Sequence, residues 1–479
     1  MKNKYLIFTI AGFAIFIRII FEVFVIHLNP DNSFQLTIAY NILNGTGPYF
    51  TTLDVNNLSN IKYEAIAGWP YSYPFVISFI GLFINDLLNA AIILDAFFGG
   101  LLALSIYKLA HYINGRNRFL IVTFLLFTSF HTGLFFAITS TGLISLSLLV
   151  CSVTYLIKNL RQGIISNQSV TLITIVGVLP AVFRFAYFPV VFVIPLSLAT
   201  YFFINRDSLK YRHLFISFTV STVGVILLFA LHKYFTGYAT YLLSEDYVDR
   251  STLNIYPSHL KYFFPFITET FLPRQFIRYI SELFNIQNIS NKLLLTLSIP
   301  IIIFWILNFK SFLSNKKNRS QQVFLLTVFW IGLIVTSVLI VMSVIKPMRN
   351  FTQVQGLRYH VPTIFFFGLS LLFFISNLSK HWKYSVGIFL LSILFLSNFT
   401  VNYQKGMMLT PFSNKSKEIF KHRDIIKEYQ GSPKHYTYTQ YNNSYLNIFG
   451  IPTLFEYHRL LYKNKLSYSE PIYFFLGMQ

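Results

Sequence analysis

Long apolar runs alternate with short polar stretches along most of this sequence. The runs are about 18 to 25 residues long, and at about 1.5 Å rise per residue a helix of that length crosses a hydrocarbon core of about 30 Å. They predict spans over 5–27, 87–111, 119–136, 139–157, 169–181, 185–204, 214–235, 292–309, 323–345, 359–377 and 385–402. The expected fold class is therefore an all-α polytopic membrane protein with about 11 transmembrane helices. The first run, behind Lys2 and Lys4, has the charge of a signal peptide. Its core is too long and lacks a small-residue cleavage site, so it reads as a retained span.

Composition agrees. Of 479 residues, 54% are hydrophobic and 11% charged, against roughly 25% charged in a soluble domain. The formal charge of +21, from 38 Lys and Arg against 17 Asp and Glu, would suggest nucleic acid in a soluble protein. Here it sorts by loop instead, and no nucleic-acid partner is expected. With the amino terminus in the cytoplasm, the inside loops carry Lys2 and Lys4, Arg116 and Arg118, Lys158 and Arg161, and Arg206, Lys210 and Arg212. They then carry Lys310, Lys316, Lys317 and Arg319, and finally Lys380 and Lys383, opposed only by Asp207. That is the positive-inside bias. It predicts a multi-pass protein of a plasma membrane, the bacterial inner membrane being the expected one. The single cysteine, Cys151, permits no internal disulfide and no thiolate metal cluster.

Two domains follow: a membrane domain over 1–402, and a small soluble α/β appendage over 403–479, where apolar runs give way to charge, Gly431, Pro433 and tyrosines. The membrane domain places two large loops outside, 28–86 and 236–291. In the first, Phe34, Ile38 and Ile42 recur every four residues before Gly45, predicting a helix from about Ser33 to Asn44 that lies on the membrane surface. Residues 73–85 are apolar but too short to cross, so they read as interfacial or re-entrant, and the parity of the topology depends on them. In the second loop, Arg274 and Arg278 share one helix face.

Candidate chemistry gathers on the outer face. Asp31 follows the first span closely. A carboxylate at that depth is partly desolvated and suits a general base, whereas the bland alternative is a helix cap; the roles can coexist. Arg18 and Glu22, four apart, read as a mutually paired support, and Asp95 as a hydrogen-bonded packing residue beside Gly99 and Gly100. Trp69-Pro70-Tyr71-Ser72-Tyr73-Pro74 reads either as interfacial belt or as a stiff pocket wall, with Trp69 and Tyr73 as its candidate contacts. Lys346, Arg349 and Arg358 put three cations on a short outside loop, where such charge is otherwise scarce. They are either snorkelling anchors or an anion site in which a guanidinium clamps phosphate oxygens. Phosphate loops, dinucleotide fingerprints, zinc helices and DxD pairs are missing from the sequence. No cofactor is called, and a divalent metal has no clear ligand set.

The order of these features resembles the C-type glycosyltransferases of the protein O-mannosyltransferase and aminoarabinose-transferase superfamily. The matching pattern is an arginine in the first span (Arg18), an acid just beyond it (Asp31), a helix ending Ala39, Asn41, Gly45 and Gly47, then Trp69 to Pro74, and far downstream Arg358, Tyr359 and Pro362. The likeness covers about the first 200 residues and the Arg-Tyr segment, and hardly touches the tail. It implies transfer of a sugar from a polyprenyl-phosphate carrier to a glycan, lipid or protein acceptor of the cell envelope, at the extracytoplasmic face and with inversion. In that scheme Asp31 is the general base, and Arg358 with Lys346 or Arg349 holds the lipid phosphate. Tyr359 stands beside them, and Arg184 lines the same cavity.

Two departures stand out. Many members carry an acid between the third and fourth spans, where this chain reads Thr139-Ser140-Thr141-Gly142, and Tyr71 and Ser72 replace a frequent Pro-Gly. Two other function classes compete: a flippase for polyprenyl-linked saccharides, and a non-catalytic scaffold of the same fold. A flippase should line a midplane path with polar groups, and Asp95 is the one clear midplane acid in the sequence.

Overall fold

A computed structural model describes residues 2–24, 30–53, 61–65, 69–84, 87–113, 141–205, 211–239, 289–313, 319–345 and 353–377. In chain order the elements are α1 (Lys2–Phe24), α2 (Pro30–Leu43), β1 (Phe50–Leu53), β2 (Ile61–Glu64), α3 (Ser72–Ile84) and α4 (Leu87–Ile113). Then come α5 (Thr141–Gln162), α6 (Asn167–Phe183), a 3-10 helix (Phe185–Phe192), α7 (Val193–Asn205), α8 (Tyr211–Thr236), α9 (Ile289–Leu313), α10 (Arg319–Ile345) and α11 (Gln353–Ser376). Among the described residues, five stretches are long and apolar enough to cross a membrane, and further apolar helices are shorter. The expected spans 119–136 and 385–402, most of the second large loop with Arg274 and Arg278, and the appendage 403–479 lie outside the described residues.

Contacts along the helices fix their directions. Gly100 of α4 lies against Ile15 of α1 and Gly99 against the Arg18 stem, so position 15 sits opposite 100 and 18 opposite 99. The pair is antiparallel. The end of α1 and the start of α4 therefore share one face, and α3, at 13 residues only about 20 Å long, does not change the parity. Next, α4 and α5 run parallel: Ser147 Oγ donates to the Phe98 carbonyl, Thr154 Oγ1 to Ser105, and Arg161 Nη1 to His111 and Tyr112.

Ser145 bonds Pro180 and Ser152 bonds Ile173, which makes α5 and α6 antiparallel. Thr174 meets Ser217 and Val178 meets Gly224, which makes α6 and α8 parallel. Ser320 and Gln321, at the start of α10, donate to the Tyr112 and Ile113 carbonyls at the end of α4, and Gln322 donates to Leu313 at the end of α9. Phe324 near the start of α10 meets Phe373 near the end of α11. One face thus collects Arg161 and the ends of α4, α5, α9 and α11. The opposite face collects α2 and the starts of α4, α5 and α11.

The interior helix is α5, buried along nearly its whole length. Its Ser145, Ser147, Ser152 and Thr154 spend their hydroxyls on carbonyls of neighbouring turns and helices. Small polar residues let membrane helices approach closely while leaving no polar group in hydrocarbon. At the periphery, α8 exposes Phe215, Ile226, Leu227 and Tyr234, the lipid-facing surface that its composition demands.

Two expectations need correction. First, α2 begins at Pro30, earlier than Ser33, because proline is preorganised for the first helical position and the missing N–H costs nothing there. Asp31 is consequently a first-turn residue and not the cap that precedes the helix. Nor does α2 lie loosely on a surface, since Gln35 through Ala39 are all buried. Second, the span expected over 185–204 starts as a 3-10 helix. Pro189 and Pro195 offer no N–H to the carbonyls four residues back, so α geometry is not established until Val193. The structure also adds a partner: Arg18 pairs with Asp95 across α1 and α4, Nη2 to Oδ2 at 3.6 Å. This carboxylate comes from another helix, and the local pairing expected with Glu22 rests on a side chain outside the described residues.

Candidate functional site

The stop after α2 is built from the residues Asn41, Gly45 and Gly47. Asn41 Nδ2 donates to the Tyr49 carbonyl at 2.7 Å, and the Thr46 N–H returns to the Asn41 carbonyl at 2.9 Å. Gly45 and Gly47 have φ of +76° and +103°, which only glycine adopts without strain. The chain is thereby turned into the antiparallel hairpin, with Phe50 opposite Glu64. Phe50 is buried on Ile38 and Tyr71, with Trp69 and Phe235 packed alongside. On α2 itself Tyr40 is half-buried. Burial raises its phenol above the ordinary range, partly offset by a side-chain hydrogen bond with Asn44, so it is a neutral donor at physiological pH.

The Trp-Pro-Tyr segment is a built wall. Ser72 Oγ donates to the Val182 carbonyl near the end of α6, and Ser78 Oγ reaches the Ala39 carbonyl on α2. Tyr71 and Tyr73 are 5% and 0% exposed, which does not fit an interfacial belt. Tyr73 packs with Leu36, Ala39 and Ile77 and so braces α3 against α2, while Trp69 stays partly exposed.

Arg184 stands at the break between α6 and the 3-10 helix. Its backbone is extended, with φ −153° and ψ 118°, its N–H returns to Pro180, and the residue is 8% exposed. Three residues on, the Tyr187 hydroxyl reaches toward the Gly142 carbonyl at 3.4 Å. The stretch Thr139 to Gly142, where relatives of the C-type pattern often carry an acid, thus ends beside the Arg184 break.

The sequence reading missed His232. It is 3% exposed near the end of α8, edge-on to Phe185 at 4.7 Å and 6.3 Å from Tyr71. Phe235, one turn nearer the helix end, stacks obliquely on Tyr71 at 5.4 Å. A signal was present: His213, Ser217, Ser221 and His232 fall at multiples of about four residues, apart from an apolar stretch, on one face of an otherwise apolar helix. All four are buried.

Asp31 sits in the first turn of α2, and Arg358 and Tyr359 are the sixth and seventh residues of α11. Their side chains lie outside the described residues, as do Lys346 and Arg349, which follow the end of α10. The helix directions put the starts of α2 and α11 on the same face. Pro362 within α11 supplies no N–H to the Arg358 carbonyl. Among the described residues, no group of three His, Cys, Asp or Glu side chains gathers as a metal site.

No protein-family model matches this chain, and no curated protein matches it. Among solved structures it is similar to ArnT from Cupriavidus metallidurans bound to undecaprenyl phosphate, at 10% identity and a TM-score of 0.53, over 96% of this chain and 91% of that one. The protein is an integral multi-pass membrane protein with the C-type glycosyltransferase fold, the fold that the ordered motifs of its sequence resemble.

Proposed function

We propose that this chain is a membrane glycosyltransferase that takes a sugar from a polyprenyl-phosphate carrier at the extracytoplasmic face and passes it to a cell-envelope glycan, lipid or protein. The observation that carries the reading is that the first turn of α2, with Asp31, and the second turn of α11, with Arg358, lie toward the same face of a fold similar to a structure bound to undecaprenyl phosphate. The basic ends at Lys158, Arg161, Lys310 and Arg319 lie on the other face, which supports placing that one in the cytoplasm.

In this scheme the Asp31 carboxylate takes the proton of the acceptor hydroxyl as its oxygen attacks the anomeric carbon. A new glycosidic bond forms on the side opposite the departing group, the bond from that carbon to the phosphate oxygen breaks, and polyprenyl phosphate leaves with the electron pair. The configuration inverts. Arg358, with Lys346 or Arg349, stabilises the charge released on the phosphate, and Arg184 adds a buried cation to the same face. Trp69 and the wall behind it border the sugar. The flippase reading loses its midplane acid, because Asp95 is engaged with Arg18.

The test is transfer of radiolabelled hexose or pentose from undecaprenyl-phosphate sugars in isolated membranes. Asp31→Asn should abolish transfer while insertion and undecaprenyl phosphate binding persist. Unchanged transfer by Asp31→Asn would remove that residue as the base.

A further inference from the structure

Helix α1 is the element nearest in sequence to Asp31, and little about it is directional. Tyr5, Phe8, Phe13, Phe16 and Ile19 are exposed along it, and its described packing is against α4. Contacts of this kind do not fix a helix in lipid, because acyl chains are as apolar as the side chains they replace and allow sliding or rotation at little cost. One feature breaks that indifference. Arg18 and Asp95, 9% and 0% exposed at their side chains, meet at 3.6 Å within the bilayer-embedded part of both helices. The fit around them is close. A Cβ on Gly99 would stand 3.4 Å from the Arg18 Cγ, and a Cβ on Gly100 only 2.7 Å from the Ile15 Cγ1. The two glycines thus form a trough that seats the Arg18 stem and Ile15 at one height and one rotation.

We propose that the Arg18–Asp95 pair is a register lock between α1 and α4, and that it acts as a positioning device for Asp31. Resting on the proposed function, this assigns the pair a role in transfer that neither residue performs by touching substrate. A buried ion pair is poor evidence of stability, and its best-attested use is to specify register. Arg18 lies six residues before the end of α1, and α2 opens at Pro30 after a short connection. A one-turn slip of α1 along α4 would move the connection by about 5.4 Å, far more than a catalytic carboxylate tolerates.

The experiment uses the full chain in native membranes with Cys151→Ser as background. Ile15→Cys and Gly100→Cys together report register by oxidative cross-linking, since a Cβ at position 100 faces the side chain at position 15. Asp31→Cys, in a separate variant, reports the position of the α2 start by its labelling rate with an impermeant maleimide. Asp95→Asn and Arg18→Gln should each slow cross-linking at least tenfold and shift the labelling rate several-fold. The exchange Arg18→Asp with Asp95→Arg should restore both. In the chain with Asp31 intact, the single variants should lower kcat at least tenfold with donor KM within twofold, and the exchange should recover it. Cross-linking unchanged in either single variant overturns the proposal, as does an exchange variant that restores nothing. Both positional readouts are independent of catalysis, so failure of the lock is distinguishable from failure of Asp31 as the base.

Discussion

Asn41 and Tyr49 are joined by a 2.7 Å hydrogen bond, side-chain amide to backbone carbonyl, that closes the turn between α2 and the hairpin. The bond explains why an asparagine precedes two glycines at this spacing: one residue ties the loop, and the others accept its geometry. Asn41→Ala leaves the Tyr49 carbonyl without that donor, at a cost of about 1–3 kcal/mol. Gly47→Ala costs about 1–3 kcal/mol, because φ is +103° and a Cβ there would stand 3.0 Å from the Tyr49 ring. Gly45→Ala meets nothing within 4 Å and pays only for its backbone, about 1–2 kcal/mol. Thermal unfolding in detergent should rank Gly45→Ala as the mildest of the three.

Gly100→Val should force α1 away from α4, with an overpacking cost of about 1–3 kcal/mol. Ile15→Ala in the same chain should recover most of it. A double-mutant cycle on detergent unfolding midpoints checks this, and strict additivity would show that the two positions do not touch.

Asp31→Asn should lower transfer by about 100-fold or more, the range of a lost general base. Asp31→Glu, which keeps the carboxylate but moves it, should retain part of the rate. The comparison is made by single-turnover transfer in membranes, and equal rates for Asn and Glu would deny the base its role.

Arg358→Ala should weaken binding of undecaprenyl phosphate about tenfold or more, the equivalent of one lost charge-assisted hydrogen bond. Arg358→Lys should recover only part of this, since an ammonium cannot present the guanidinium fork. Native mass spectrometry of the purified chain with undecaprenyl phosphate gives the ratio. Weakening of an acceptor by the same factor would argue against the phosphate assignment.

His232→Phe preserves an aromatic ring against Phe185 and Tyr71, whereas His232→Ala removes it. If the imidazole serves only packing, Phe should unfold within about 1.5 kcal/mol of the parent and Ala about 2 kcal/mol or more below it. A variant that is stable with Phe yet slow in transfer would assign the imidazole nitrogen a part in the reaction.

Much of the fold was legible because hydrocarbon imposes a long, unambiguous signal: the apolar runs expected over 87–111, 214–235 and 323–345 became the helices Leu87–Ile113, Tyr211–Thr236 and Arg319–Ile345, within a few residues of those bounds. The order of Arg18, Asp31, Asn41 and Trp69 also pointed to the fold. Pairings were less legible. Arg18 looked toward Glu22 because i to i+4 neighbours are all that a sequence places together, while its observed partner Asp95 is distant in the chain and close only after α1 packs on α4. His232 escaped notice because a lone histidine at the end of an apolar helix acquires meaning only when Phe185 and Tyr71 arrive from other elements. The 3-10 geometry after Arg184 could have been read from Pro189 and Pro195, which hydropathy alone overlooks.

That tighter winding changes how far the chain reaches. Eight residues in 3-10 form rise about 16 Å, where an α-helix would give about 12 Å. With the 13 residues of α7 adding about 20 Å, the descending limb is about 36 Å tall, taller than a hydrocarbon layer of about 30 Å. The limb thus outruns the hydrocarbon layer by about 6 Å, a little more than one α-helical turn.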